Sequence, residues 1–402
     1  MNTALDKSIT TLITFLFLLF VFLRSQFDKQ FSSYLIYSIP LITTVLVGSY
    51  LTLKNRLGYK VRFKNEFYNF FKIFLIFSFA SNLFTLIIGS LSNRTFFEFY
   101  FIFSPFFTVY LISFLELDRK FIQKQITFIG FGCLFIYLIK LGPDIFSMFN
   151  AFNQIFSNSL TNSKIEGSYE SVFSFTFSFL ALFYFMRKKI FLFILFALFS
   201  ILTFKRISLM GLLISIVVFL IVKTFKVNVI NNKRKISLLG LFGNSFYIFL
   251  AILIITGYFD NAIKSIFGRS LNFILMGRVE LFTHAFELSS NSIWDNFHIL
   301  GLGLGRLSES LQGSYFTHLT NIHSDVIKIF IENGVLLFIY LFYSIYKFSA
   351  HKLELLIIII FFNVLLISDN ILIYFNTMYI FNLIILSFIS TDGRKTLNYD
   401  RK

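Results

Sequence analysis

Apolar positions come in long blocks, and the polar positions fall between them. Runs of about 16 to 25 mainly apolar residues recur along nearly the whole chain, the length a helix needs to cross a hydrocarbon core of about 30 Å. Read as helices, these blocks occupy about residues 8–23, 31–53, 67–91, 96–115, 121–141, 169–186, 190–204, 207–222, 238–257, 326–346, 353–368 and 371–390. The pattern predicts an all-α, polytopic integral membrane protein. About twelve transmembrane helices fill residues 1–402 as a single transmembrane domain.

Two polar intervals interrupt the blocks. The first, 142–168, carries Pro143, Asp144, Lys164 and Glu166, and reads as a solvated connector. The second, 258–325, is too long for a turn, and loops of that length usually carry function or helices of their own. Within it, Val279, Phe282, Ala285 and Phe286 recur at helical spacing. They predict an amphipathic helix from Arg278 to Leu288 that lies along a membrane surface.

Composition supports the membrane reading. The chain is 56% hydrophobic and 14% charged, against about 25% charged in ordinary soluble domains. Its net charge of +16 invites a nucleic-acid partner, but the cations sit in short connections rather than in one patch, so no nucleic-acid binding is expected. Lys54, Arg56, Lys60, Arg62 and Lys64 fall in one connection, and Arg119, Lys120 and Lys124 in another. Arg187-Lys188-Lys189 and the stretch from Lys223 to Lys235 follow at alternate loops. This alternation places both termini in the cytoplasm and both long polar intervals outside. The first apolar run is followed by Arg24-Ser25-Gln26-Phe27-Asp28, which offers no small-residue cleavage site, so it reads as a retained span. The one cysteine, Cys133, leaves no disulfide framework within the chain.

The chemistry-bearing residues gather in few places. Lys205 and Arg206 open the eighth block on the outward side, where cations are not expected, and either snorkel to lipid phosphates or grip an anionic headgroup. The second polar interval holds Arg269, Arg278, Arg306, His284, His298, His318 and His323, with Asp325 at its end. No HExxH or Cys-x-x-Cys spacing is present, so neither a metal nor another cofactor is expected. The run Gly301-Leu302-Gly303-Leu304-Gly305 lacks the Gly-Lys-Ser/Thr of a phosphate-binding loop and reads as a tight turn. No GxSxG supports a serine hydrolase.

Four pieces in order carry a family resemblance between about residues 165 and 390. They are Phe204-Lys205-Arg206-Ile207-Ser208, then Gly277-Arg278 leading a helix, then Leu300-Gly301-Leu302-Gly303. The last is His323-Ser324-Asp325 followed by Phe330-Ile331-Glu332-Asn333-Gly334. The chain resembles the O-antigen polymerase and ligase superfamily of bacterial membrane glycosyltransferases. It departs from that family at Ser324, where Asn commonly follows the His, and at Lys205, where Ser often precedes the Arg.

The resemblance implies a multi-pass protein of the bacterial inner membrane that acts on undecaprenyl-pyrophosphate-linked oligosaccharide outside that membrane. It assigns Arg206 and Arg278 to the donor pyrophosphate and His323 to the acceptor hydroxyl. Lys205, Arg269, Arg306, Asp325 and His318 become further phosphate or glycan contacts. Membrane lipid, a chain-length regulator and a flippase are implied partners. The Ser368-Asp369-Asn370 turn favours the polymerase branch; a ligase acting on lipid A-core is the alternative. A flippase is the alternative from another class, and it should place its cations inside the spans. Here Lys72, Lys140 and Lys328 read as lying near span ends.

Overall fold

A computed structural model describes residues 2–27, 33–57, 65–89, 91–142, 171–203, 205–275, 277–290, 297–312 and 322–390. Most of the first polar interval (143–168) and His318 therefore lie outside the described residues. All regular structure among the described residues is helical.

In chain order the helices are α1 (Asn2–Phe27), α2 (Ser33–Arg56), α3 (Asn65–Ile88), α4 (Asn93–Ser113), α5 (Arg119–Leu141), α6 (Ser171–Met186), α7 (Ile190–Leu202), α8 (Arg206–Thr224) and α9 (Lys233–Ile255). The second polar interval contributes α10 (Asp260–Phe267), α11 (Leu271–Ile274), α12 (Arg278–Ser290), α13 (Phe297–Leu300) and α14 (Arg306–Gln312). The chain then runs through α15 (Asp325–Ser349), α16 (Leu353–Ser368) and α17 (Phe375–Ile389). Seven of these are long and apolar enough to cross a membrane: α1, α3, α4, α5, α8, α9 and α15. The apolar helices α6, α7, α16 and α17 are shorter. At 1.5 Å per residue the 13 residues of α7 span only about 20 Å.

The helices group into two compact units. One comprises Met1–Tyr68, Ser104–Val218 and Tyr374–Lys402; the other comprises Asn69–Phe103 and Phe219–Ile373.

In the first unit α1 packs on α2 and α5, and α6 packs on α7 and α17. Gly130 and Gly132 on α5 let neighbours close in, since a Cβ on Gly132 would meet the Leu18 side chain at 2.6 Å. A buried polar clamp fixes one end of this unit. Asp6 accepts hydrogen bonds from Lys54 Nζ at 2.7 Å, from the Tyr50 hydroxyl at 2.7 Å and from the Glu116 amide at 2.8 Å. A fully buried carboxylate persists only with such partners.

The second unit is built on α15. The helix α9 lies along it, with Gly240 against the Tyr346 ring. The helices α13, α14 and α16 also contact it. α15 is not continuous: Gly334 breaks it at φ 70°, ψ 175°. The break frees carbonyls that the Gly-rich run then satisfies. Leu302 donates its amide to Ile331 O at 2.9 Å, and Gly303 donates to Glu332 O at 2.9 Å. Gly301 (φ 83°) lies against the Glu332 backbone, and Gly334 against that of Ile299, so neither position has room for a Cβ. The tight turn expected over 301–305 is thus a strip of backbone laid against an opened helix.

Residues 371–390 do not form one helix. Ile371–Ile373 is a short 3-10 turn, and α17 starts at Phe375. The cause is a tertiary hydrogen bond from the Leu372 amide to Asp325 Oδ2 at 2.9 Å, which holds the segment out of the helix.

Candidate functional site

Ser324 caps α15, its side chain accepting from the Ile327 amide at 3.4 Å. Immediately before it, His323 takes φ 57°, a left-handed conformation uncommon outside glycine. The strained turn throws the imidazole toward the α16–α17 connection. His323 Nδ1 stands 3.7 Å from Asp369 Oδ1, with the His side chain 38% exposed and the Asp side chain fully buried.

Asp369 is held firmly. Its carbonyl accepts from the Asp325 amide at 3.1 Å, and its Oδ1 accepts from the Asn370 amide at 2.8 Å. Together with the Leu372–Asp325 bond, this stitches the turn Ser368–Asn370 to the start of α15. The carboxylate facing His323 therefore belongs to Asp369. Asp325, expected as a phosphate or glycan contact, is buried and its Oδ2 accepts from the Leu372 amide.

Arg278 reaches the same turn. It is the first residue of α12, whose buried face carries Leu281, Phe282 and Ala285. The predicted helix from Arg278 to Leu288 is thus present, ending at Ser290. Arg278 Nη2 donates to Ser368 O at 3.2 Å. The Tyr247 hydroxyl on α9 donates to Ile367 O at 3.0 Å, bonds Ser324 and lies in the field of Arg278. Two sequence-predicted residues, Arg278 and His323, thereby meet at consecutive residues of one turn. With Nδ1 turned to a carboxylate, the other imidazole nitrogen is, among the described residues, open to a ligand.

The other described candidates have local settings of their own. Arg206, the first residue of α8, belongs to the first unit and is exposed. A cation there opposes the helix dipole, which favours anions at a helix N-terminus. Lys205 lies over the Phe175 ring at 5.7 Å, and its carbonyl accepts from the Ser208 hydroxyl at 2.8 Å. Arg269 stacks on Phe273 at 4.5 Å. Arg306 pairs with Glu309 at 3.1 Å on an exposed face. Those contacts are ordinary surface partners for arginine.

The sequence reading missed a second polar cluster. Lys328, read as lying near a span end, is buried, and its Nζ donates to Glu98 Oε1 at 2.6 Å and to Ser308 Oγ at 3.1 Å. Arg94 Nε also donates to Glu98 Oε1, at 3.0 Å. Glu332 Oε1 accepts from the Leu307 amide at 2.9 Å. An acid inside an apolar candidate span was the available signal: Glu98 stands alone among the aromatic residues of α4, with Arg94 four residues before it. Among the described residues no group of three or more His, Cys, Asp or Glu is placed to hold a metal ion.

No family model, no curated protein and no solved structure matches this chain.

Proposed function

We propose that the chain is an O-antigen polymerase. In this reading it is a glycosyltransferase of the bacterial inner membrane that joins undecaprenyl-pyrophosphate-linked repeat units at the outer face of that membrane. The observation that carries this reading is the meeting of Arg278 and His323 at the Ser368–Asn370 turn. A guanidinium and a carboxylate-backed imidazole reaching one turn are suited to glycosyl transfer from a diphosphate. A sugar hydroxyl attacks an anomeric carbon, its proton passes to the imidazole, and a diphosphate departs carrying negative charge.

Arg278 stabilises that departing charge, and the family resemblance assigns Arg206 to the donor pyrophosphate as well. Each charge-assisted bond is worth roughly 1.5–3 kcal/mol, and more where donors are already oriented. His323 takes the hydroxyl proton, with Asp369 holding the ring. About twelve crossings with both termini in the cytoplasm set these groups on the outer side.

The test is the surface-polysaccharide pattern of a deletion strain complemented with each variant. Without a polymerase the lipid A-core carries one repeat unit; without a ligase it is bare. His323→Ala, Arg278→Ala and Arg206→Ala should each give the one-repeat pattern with protein still in the membrane. Full-length polymer from all three overturns the assignment, and a bare core points to the ligase.

The Lys328–Glu98 pair, buried within candidate spans, favours a transport reading as the second alternative, after the ligase. It predicts repeat units trapped on the cytoplasmic side of a deletion strain.

A further inference from the structure

A small cavity lies inside the second unit, lined by Phe77, Glu98, Asp325, Lys328, Glu332 and Asn333 among others, with a volume of about 10 Å³. That is room for a single water at most. Among the described residues Lys328 is the cation on its wall, and Arg94 pairs with Glu98. Glu98 and Glu332 are the carboxylates, with Asp325 on the same wall and Asp369 behind Asp325. With every acid ionised, negative charge exceeds positive. Uncompensated charge of that kind is costly in a low-dielectric interior, and a protein removes it by binding a proton or a cation.

Geometry decides between the two. The Lys328 ammonium already occupies the centre, 2.6 Å from Glu98 and 4.0 Å from Glu332 Oε2, and repels a second cation. The cavity lacks space for the several oxygen ligands a metal ion needs. A proton needs only one oxygen. Two are open: Glu332 Oε2 and Glu98 Oε2 are buried and receive no hydrogen bond from the described residues. The other oxygen of each is engaged, Glu98 Oε1 by Lys328, Arg94 and Ser308, and Glu332 Oε1 by the Leu307 amide. Glu98 has two cationic partners within 3.0 Å, whereas Glu332 has one, at 4.0 Å.

We propose that this cavity is a proton-binding site, with Glu332 Oε2 carrying the proton as a neutral carboxylic acid while Glu98 stays ionised against Lys328 and Arg94. The binding step is one proton from water onto one carboxylate, with no other bond made or broken. Glu332 also anchors the Gly-rich strip, through Leu307 on its side chain and Gly303 on its carbonyl. Occupancy of the site therefore bears on how tightly the 301–307 segment is held. The proposal is independent of the glycosyltransferase reading.

The full-length protein in lipid nanodiscs tests it by difference infrared spectroscopy. A protonated carboxylic-acid carbonyl band is expected near neutral pH and should vanish on raising the pH. Glu332→Gln, which mimics the neutral acid, should lack the band and keep a near-wild-type melting temperature. Asp325→Asn should leave the band in place. If Glu332→Gln does not fold, Asp325→Asn decides: a titrating band that survives in it supports the proposal, and its loss overturns it. Absence of the band in the wild type overturns the proposal, as does a band undiminished in Glu332→Gln. A band that sodium removes and choline does not also overturns it, in favour of a metal-ion site.

Discussion

Arg278 and Ser368 are ninety residues apart, and the guanidinium of the first donates to the carbonyl of the second at 3.2 Å. The contact fixes the start of α12 at the turn whose next residue, Asp369, faces His323. It uses one nitrogen of the fork and, among the described residues, leaves the others open to a ligand.

Arg278→Lys keeps the charge and loses the fork. Polymer synthesis by membranes carrying this variant should fall roughly tenfold to a hundredfold, the equivalent of one charge-assisted bond. A rate equal to wild type removes Arg278 from the reaction.

Asp369→Asn keeps the turn's shape and removes the negative charge facing His323. If the carboxylate orients the imidazole and steadies its charged form, polymer yield should drop at least tenfold at unchanged protein level. The pH profile of the residual activity should shift as well. A purely structural Asp369 would lower protein level and leave that profile alone.

Lys328→Met leaves Glu98 buried with Arg94 as its one cationic partner among the described residues, and should cost about 3–5 kcal/mol. The double variant Glu98→Leu with Lys328→Met removes both charges and should recover much of that loss. Thermal unfolding in detergent compares the two, and a double variant no more stable than the single one contradicts the pairing.

Gly301→Ala and Gly334→Ala each put a methyl group into backbone at positive φ. Both should lower the melting temperature and the amount of protein in the membrane, with about 1–3 kcal/mol from the dihedral strain alone. Gly243→Ala, with open space at its Cβ and an ordinary φ, is the matched control and should be tolerated.

Orientation has a direct check, because the only native thiol, Cys133, is buried. A membrane-impermeant maleimide should label Arg206→Cys in intact cells, and Arg234→Cys only after permeabilisation. Both native side chains are exposed. The opposite pattern reverses the proposed topology.

How much of this was legible depends on the range of the interaction. Helices were readable because an apolar block reports burial locally: the expected 207–222, 121–141 and 326–346 correspond to Arg206–Thr224, Arg119–Leu141 and Asp325–Ser349. The α12 helix was readable from its spacing for the same reason. What failed was long-range. Glu98 and Lys328 are 230 positions apart, and nothing local to Lys328 says that its amine is buried. The carboxylate facing His323 was not readable because Asp369 is 46 positions away in sequence and adjacent only in space. The α17 start was missed because one tertiary hydrogen bond, Leu372 to Asp325, overrides the apolar run. The Ser368–Asp369–Asn370 turn was noticed as a motif, and its physical role emerged only with the helices that it ties together.

The interruption at Gly334 makes a splint of the glycine-rich strip. The rod from Asp325 to Asn333, with His323 at its tip, is braced across its open end by Leu302 and Gly303 instead of by the rest of its own helix. That joint closes the helix whose start carries His323, and His323 and Arg278 reach the same turn. Loosening that joint should unsettle both groups together, and deuterium uptake at the Leu302 and Gly303 amides would be its first sign.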